Sequence, residues 1–354
     1  MSIRVEVNNR KLQYMGRIGM SSDHAPVFLY PYTSVTFRFR GTTVCAYVKN
    51  KHDYWDNYMG IVVDGVQSKV KLELDEDKLQ RIVLAEHLAD TEHEVTFFKR
   101  QDSCHMVTFY GLELEDDSEL LDPPKLPQRR IEVYGDSVSA GEVSEAVEYV
   151  GQPDPEWHQG EFSNSYYSYA AIAARKLNAQ LHDIAQGGIA LMDRTGWFKE
   201  PDAVGMESAW DKLQYNPDFG ASRPWDFSNY RPHVVIVAIG QNDNHPIDYM
   251  KEDYDCEQSK NWRSHYKQFI QKLRETYPTA PIILTTTILC HDPNWDRSIE
   301  QVCQELGDDS IYHFLYEKNG VGTPGHIRIP EAEQMAEELA AFITSLGDGI
   351  WEDK

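Results

Sequence analysis

Four short turns of the sequence carry side chains that could do chemistry, and the first three of them follow apolar runs that predict strands. They are Gly135-Asp136-Ser137, Gln186-Gly187-Gly188, Gly240-Gln241-Asn242-Asp243 and Gly322-Thr323-Pro324-Gly325-His326. In an open α/β sheet the carboxyl ends of the strands share one edge, where ligands bind. A serine, a glycine pair, an asparagine and a histidine at one edge are the parts of an acyl-transfer site.

The chemistry of ester cleavage assigns a role to each of these residues. A serine hydroxyl attacks a carbonyl only when a base removes its proton, so Ser137 is the predicted nucleophile and His326, with a near-neutral pKa, the predicted base. The resulting oxyanion needs fixed donors. The backbone amides of Ser137 and Gly188 and the side-chain amide of Asn242 can supply three, and a glycine at 188 lets the backbone approach closely.

Other polar residues near these turns compete for the same roles. His291 ends a predicted strand and is the best alternative base, whereas His245 follows the asparagine turn too closely to face the serine as well. We expect Asp136 and Asp243 to bond turn backbone rather than to catalyse. His326 is preferred because it precedes the last helix, in the order that this architecture requires.

An alternation of strands and helices across residues 130–354 positions the four turns. Apolar segments predict strands over 130–134, 180–185, 233–239, 281–289 and 310–315, and helices over 164–178, 259–276, 295–306 and 330–345. This order predicts a three-layer α/β/α domain with a parallel sheet. The first turn does not read G-x-G-x-x-G, which argues against a dinucleotide site.

Residues 1–120 follow a different pattern. Val35, Phe37 and Phe39 alternate with polar residues, as in a half-buried strand, and Asp64-Gly65 indicates a hairpin. Many short strands without a helical stripe predict an all-β sandwich or jelly roll. The proline-rich segment 121–129 cannot continue a central strand or a helix, so it is the predicted linker to the domain over 130–354.

The ordered set of turns resembles the four blocks of the SGNH (GDSL-like) hydrolases. Together with the β-rich first part, including FLYPYTSVTFRFRG at 28–41, the chain is similar to carbohydrate esterase family 2, in which a jelly-roll domain precedes an SGNH catalytic domain. The resemblance implies that Ser137 is the nucleophile, His326 the base, and Gly188 and Asn242 part of the oxyanion hole. It also implies removal of O-acetyl groups from xylan or mannan, without metal or organic cofactor.

One position departs from the pattern of the resembled superfamily. Many SGNH enzymes carry Asp-x-x-His, in which the aspartate orients the imidazole, but the corresponding residue here is Thr323. A backbone carbonyl can accept the imidazole Nδ1 proton instead, so we favour a Ser–His dyad. A distant acid remains an alternative, with Asp292 and Asp296 as the candidates by sequence.

Aromatic residues crowd the predicted loops at the site edge. Aromatic faces stack on sugar rings, and Trp295 and Trp197 are our first choices for such a platform. For any single tryptophan the alternative is that it anchors a loop to the domain.

Charge and cysteine content limit the class of partner. The formal net charge of -23 disfavours nucleic acid and anionic membranes and suits a neutral substrate. The first residues lack the pattern of a signal peptide, and no stretch approaches the length of a membrane span. Five scattered cysteines without a CxxC or Cys/His cluster do not indicate zinc and are typical of reduced thiols, so we expect a cytoplasmic protein.

These observations predict a carbohydrate O-acetyl esterase that acts on acetylated oligosaccharides from mannan or xylan. A lysophospholipase-like or thioesterase enzyme is the nearest alternative, although long acyl chains need an apolar trench and these loops are polar and aromatic. A non-catalytic carbohydrate-binding protein is the alternative from another class.

Overall fold

The computed structural model describes residues 2–353. The first part of the chain contains twelve strands, namely β1 (Ser2–Val5), β2 (Gln13–Met15), β3 (Ile18–Met20), β4 (Pro26–Phe28), β5 (Ser34–Gly41), β6 (Val44–His52), β7 (Tyr58–Val63), β8 (Val66–Lys71), β9 (Gln80–Ala85), β10 (Thr91–Lys99), β11 (His105–Glu115) and β12 (Glu119–Leu121). They form two six-stranded antiparallel sheets, one centred on β11 and β6, the other on β5, β10 and β7.

The alternation in β5 explains how the two sheets pack. Val35, Phe37 and Phe39 are fully buried, while the side chains between them are partly or fully exposed. The inward residues of the other sheet, such as Val107 and Phe109, complete one apolar core between the sheets. Burial of one face of each sheet is what drives such a sandwich. The predicted all-β first domain is confirmed.

The second part of the chain contains the predicted parallel sheet. Its strands are β13 (Arg129–Gly135), β14 (Ala179–Ala185), β17 (Val234–Ala238), β18 (Ile282–Thr285) and β19 (Ile311–His313), and the short strands β15 (Lys212–Gln214) and β16 (Arg223–Pro224) form a separate ribbon. The sheet order is β14-β13-β17-β18-β19, with parallel pairing throughout. The proline-rich residues 122–128 carry the chain from β12 to β13.

Helices cover both faces of this sheet. They are α1 (Ser137–Ala140), α2 (Tyr169–Lys176), α3 (Met206–Ala209), α4 (Tyr249–Glu252), α5 (Glu257–Thr276), α6 (Pro293–Leu306) and α7 (Ile329–Ser345). The apolar side chains of α2 and α7 pack on one face with Ile131 and Val133, and those of α5 and α6 pack on the other face with Tyr134. The structure therefore has the predicted three-layer α/β/α arrangement.

Two elements differ from the sequence-based prediction. The helix expected over 164–178 begins only at Tyr169, because the Ser168 hydroxyl caps it and a short 3-10 turn, Ser165–Tyr167, precedes it. The strand expected over 281–289 ends at Thr285, because Thr287 Oγ1 bonds the Gln241 side chain and Leu289 pairs with Thr323 in the loop before α7.

A buried ion pair joins the two domains. The Arg17 guanidinium lies 2.7 Å from a Glu132 carboxylate oxygen, and both side chains are fully buried. Arg17 also donates to the Tyr134 hydroxyl and to the Trp210 carbonyl. Because removing one partner of a buried pair leaves an uncompensated charge, this contact fixes the sandwich against the sheet.

Length and apolar character decide whether a helix can span a membrane. Within residues 2–353, no helix combines the necessary length with sufficient apolar character.

Candidate active site

The sheet order brings the first three turns together. β13 lies between β14 and β17, so the turns that carry Ser137, Gly188 and Asn242 are neighbours at the carboxyl edge. His326 lies in the loop before α7, and its neighbour Thr323 pairs with Leu289, beyond the end of β18. The roles of these residues stay predictions, but the fold places their backbones at one edge.

Asp136 organises the nucleophile turn. One carboxylate oxygen accepts from the Val138 amide at 3.0 Å and caps α1. The other accepts from the Gln241 side chain at 2.8 Å and from the Asn242 amide nitrogen at 3.3 Å. Ser137 is 6% exposed at the start of α1, where backbone N–H groups lack helical partners. Asp136 therefore bonds the backbone of the turn, as the sequence suggested.

The candidate oxyanion donors lie on the next two turns. Gly188 has a φ of 72°, and a Cβ added there would lie 2.8 Å from the Trp197 Cβ, so only glycine suits this position. Among residues 2–353, no acceptor pairs with the Gly188 amide. The Asn242 Nδ2 donates to the Ile189 carbonyl at 3.1 Å, which holds this side chain against the glycine turn.

His326 is oriented by a carboxylate that the sequence analysis missed. Its Nδ1 lies 2.6 Å from Asp154 Oδ2, and the other oxygen of Asp154 accepts from the His326 amide and from Arg328, both at 2.8 Å. The favoured dyad with a backbone carbonyl is therefore wrong for this chain. Asp154 lies in the loop after α1, 172 residues before the histidine, so no short motif could reveal the pair.

The two acids that the sequence offered for this role lie elsewhere. Asp292 caps α6 by accepting from the Asn294 amide. Asp296 Oδ2 lies 2.9 Å from His291 Nε2, and the Nδ1 of His291 pairs with the Leu289 carbonyl at 2.6 Å. Both nitrogens of this rival histidine are thus occupied by the fold.

One carboxylate lies near the free nitrogen of the His326 imidazole. Its Nε2 lies 3.9 Å from Glu142 Oε2, on the turn that follows α1. Burial lowers the pKa of His326, but Glu142 and Asp154 outweigh burial and raise this pKa to about 9. The expected near-neutral pKa is therefore too low. Burial also raises the pKa of the Glu142 carboxyl, to about 7.

The two tryptophans proposed as a glycan platform have opposite environments. Trp295 is fully buried on α6, where it packs against Trp262 and Tyr249, so this choice was wrong. Trp197 is 56% exposed, and its ring stacks on His245 with a centroid distance of 3.4 Å. Its Cβ lies beside Gly188, so the residue that carries this exposed ring borders the candidate oxyanion turn.

A protein metal site needs several His, Cys, Asp or Glu side chains that converge on one point. Residues 2–353 contain no group of three or more His, Cys, Asp or Glu side chains arranged to hold a metal ion. The five cysteines are all free thiols.

Comparisons with known proteins agree with this architecture. Residues 14–124 match the family model described as carbohydrate esterase 2 N-terminal, and residues 133–309 match that of the GDSL-like lipase/acylhydrolase family. The acetylxylan esterase / glucomannan deacetylase of Cellvibrio japonicus is 27% identical over 97% of this chain and 91% of its own length. Cellulase/esterase CelE of Acetivibrio thermocellus is 28% identical over 95% of this chain, which spans 39% of the length of CelE.

Solved structures show the same two-domain fold. A family two carbohydrate esterase from Cellvibrio japonicus superposes with a TM-score of 0.80 at 24% identity, covering 98% of both chains. A family two carbohydrate esterase from Clostridium thermocellum, in complex with cellohexaose, has a TM-score of 0.77 at 27% identity and covers 96% of this chain and 100% of its own. The chain therefore belongs to the GDSL-like lipase/acylhydrolase family, in the two-domain form of carbohydrate esterase family 2.

Proposed function

We propose that this protein is a serine esterase that removes O-acetyl groups from oligosaccharides derived from mannan or xylan. The observation that carries the proposal is the His326 imidazole, which Asp154 holds through Nδ1 while Nε2 lies 3.9 Å from Glu142, on the turn that follows the helix of the nucleophile. This tautomer and orientation suit a general base that takes the proton of Ser137.

The reaction follows from this arrangement in two halves. His326 Nε2 accepts the Ser137 proton as the oxygen attacks the acetyl carbonyl, and the developing oxyanion is held by the backbone N–H groups of Ser137 and Gly188 and by Asn242 Nδ2, which releases the Ile189 carbonyl to bond it. The protonated imidazole gives its proton to the sugar oxygen as the C–O bond breaks. Water, deprotonated by the same imidazole, then attacks the acetyl-enzyme and releases acetate.

The resting protein and the reacting complex differ in one hydrogen bond. Within residues 2–353, the Ser137 hydroxyl has no hydrogen-bond partner. Catalytic hydrogen bonds often tighten only when substrate binds, so we assign the Ser137–His326 bond to the substrate complex. Asp154 stabilises the imidazolium that forms there, which a carbonyl would do less well.

The names of the relatives and the aromatic rim support a carbohydrate as the substrate. The curated relative from Cellvibrio japonicus is named an acetylxylan esterase and glucomannan deacetylase, and the Clostridium thermocellum structure holds cellohexaose. In this chain, Trp197 borders Gly188 through its Cβ, and its exposed indole offers an apolar surface to a sugar ring.

Acetate release from acetylated xylo- and manno-oligosaccharides tests the proposal. We expect the wild-type protein to release acetate and the Ser137→Ala variant to lose this activity together with covalent labelling by a fluorophosphonate. A variant that still released acetate at the wild-type rate would refute the mechanism. Faster cleavage of octanoyl than of acetyl nitrophenyl esters would favour a lipase-like enzyme, and absence of labelling in folded wild-type protein would favour a binding module.

We also propose that the protein acts in the cytoplasm on imported oligosaccharides. The five free thiols support this location because reduced cysteines are typical of that compartment. Fractionation of the producing cells tests it, and recovery of the protein in the medium would contradict it.

A further inference from the structure

A loop of the N-terminal sandwich reaches the candidate oxyanion turn. Asp102, between β10 and β11, is 5% exposed, and its Oδ2 accepts from the Gly187 amide at 2.6 Å and from Gln186 Nε2 at 2.9 Å. Its Oδ1 accepts from the Cys104 amide at 2.9 Å. A carboxylate from one domain is thus bonded to two consecutive residues of the turn that follows β14 in the other.

Gln186 transmits this contact to the peptide that carries the candidate donor. Besides bonding Asp102, its Nε2 donates to the Gly187 carbonyl at 3.1 Å. That carbonyl and the Gly188 N–H belong to the same planar peptide unit, so fixing one fixes the direction of the other. The orientation of the Gly188 amide therefore depends on where the Gln186 side chain is held.

The other end of the Gln186 side chain is held as well. Its Oε1 accepts from the Tyr215 hydroxyl at 2.8 Å and from the hydroxyl of Ser103, the residue after Asp102. At Gly187 an added Cβ would lie 2.7 Å from Asp102 Oδ2, so the absence of a side chain permits this close approach.

The sandwich loop itself is rigid. The buried Lys99 ammonium donates to the carbonyls of Gln101 and Asp102, and the Asn216 side chain donates to the Ser103 carbonyl at 2.7 Å. Because its backbone is tied at each of these points, the Asp102 carboxylate is preorganised rather than free to follow the turn.

We propose that Asp102 is a positioning residue for the esterase reaction: acting through Gln186, it aims the Gly188 amide at the developing oxyanion. The sandwich then contributes to the transition state rather than serving only as an attached module. This inference rests on the proposed function. Loss of one preorganised oxyanion donor typically lowers kcat by about 100- to 1,000-fold, which bounds the expected effect.

The experiment compares Asp102→Ala and Asp102→Asn with wild type on nitrophenyl acetate and on acetylated xylo-oligosaccharides. We expect Asp102→Ala to lower kcat by about 100-fold, with KM within about twofold, because the donor acts mainly on the transition state. Asp102→Asn, which keeps one acceptor oxygen and the volume, should recover about a tenth of wild-type kcat. Inhibition by phenylboronic acid, which forms a tetrahedral adduct with the serine, should weaken by the same factor as kcat falls.

Gln186→Leu breaks the link from the catalytic-domain side and keeps the experiment decisive where Asp102→Ala does not fold. We expect the same fall in kcat and the same loss of boronate inhibition. Asp64→Asn is the control, since this sandwich carboxylate also accepts a backbone N–H, from Glu94 at 2.9 Å, but belongs to a hairpin without contact to the glycine turn.

The outcomes separate the two proposals. Wild-type protein without esterase activity would sink the proposed function itself. If the wild type is active and Ser137→Ala is dead, then wild-type kcat in folded Asp102→Ala or Gln186→Leu overturns only the positioning role. A loss confined to KM, or one without a parallel change in boronate inhibition, overturns it too.

Discussion

Two histidines of this chain lie at the same edge of the sheet, and each is paired with an aspartate. The Asp136 carboxylate contributes to raising the pKa of both, so they share one electrostatic environment. His326 uses only Nδ1, bonded to Asp154, and its side chain is 22% exposed. His291 uses both nitrogens, one on the Leu289 carbonyl and one on Asp296, and its side chain is 1% exposed.

The difference shows that an aspartate partner alone does not identify a catalytic histidine. A general base needs one nitrogen held and the other free to take a proton. His326 meets that requirement, whereas proton transfer at His291 would first have to break a buried hydrogen bond. His291 thus ties the loop after β18 to α6, and His326 is the histidine available to a substrate.

Replacing each histidine by alanine gives the largest expected contrast. His326→Ala should lower kcat by about 10⁴-fold or more, because the nucleophile loses its base. His291→Ala should keep kcat within about fivefold but lower the free energy of unfolding by about 1–3 kcal/mol, since Asp296 and Leu289 lose a buried partner. Acetate release and urea unfolding measure the two effects. The assignment would be reversed if His291→Ala lost activity while His326→Ala kept it.

The aspartates provide the next contrast. Asp154→Asn should lower kcat by about 10³- to 10⁴-fold, because an amide neither fixes the reactive tautomer nor stabilises the imidazolium. Asp296→Asn is the matched control and should keep kcat within about threefold. Equal kcat for Asp154→Asn and wild type, measured by acetate release, would restore the dyad.

The sequence could reveal the turns but not the partner of the base. Ser137, Gly188 and Asn242 each follow a strand directly, so the sheet order alone brings them together. Asp154 belongs to an irregular loop, and its place beside His326 depends on how that loop packs against Gly325, where an added Cβ would lie 2.5 Å from the Gln152 carbonyl. No periodicity records such packing.

The buried position of Trp295 can be inferred from the spacing of residues in the sequence. Trp295, Ser298, Ile299 and Val302 have the spacing of one helical face, and all four are buried. That spacing is typical of core positions. Trp197 lies in a segment without such a pattern, and only the fold shows that this residue borders the glycine turn. The fold class was predictable because β5 shows a period-two alternation and β17 a continuous apolar run in the sequence itself.

Glu142→Gln sharpens the comparison of His326 with His291, because Glu142 lies 3.9 Å from the free nitrogen of His326. His326 must be neutral to act as a base, so activity should rise with pH through its pKa, which the nearby carboxylates raise to about 9. Removing the Glu142 charge lowers that pKa. The ascending limb of the kcat/KM profile should therefore move to lower pH by about one unit.

Acetate release measured between pH 5 and 10 checks this shift, with the pH range chosen to bracket the usual pKa of histidine and the raised one. Asp154 and Asp136 also face this imidazole, so in Glu142→Gln they still raise the pKa of His326. If the ascending limb is unchanged in Glu142→Gln, the Glu142 charge does not raise the pKa of His326.

Trp197→Ala should have the smallest effect and the most selective one. Loss of a stacking surface costs about 0.5–1.5 kcal/mol, so KM for acetylated oligosaccharides should rise about two- to tenfold. Nitrophenyl acetate, which has no sugar ring, should keep its kcat/KM, because the turn of Gly188 is held by Gln186 rather than by the indole. Trp157→Ala is the control, since that ring is 80% exposed on another loop. If Trp197→Ala slows both substrates equally, the indole supports the site through its stack on His245, and sugar binding lies elsewhere.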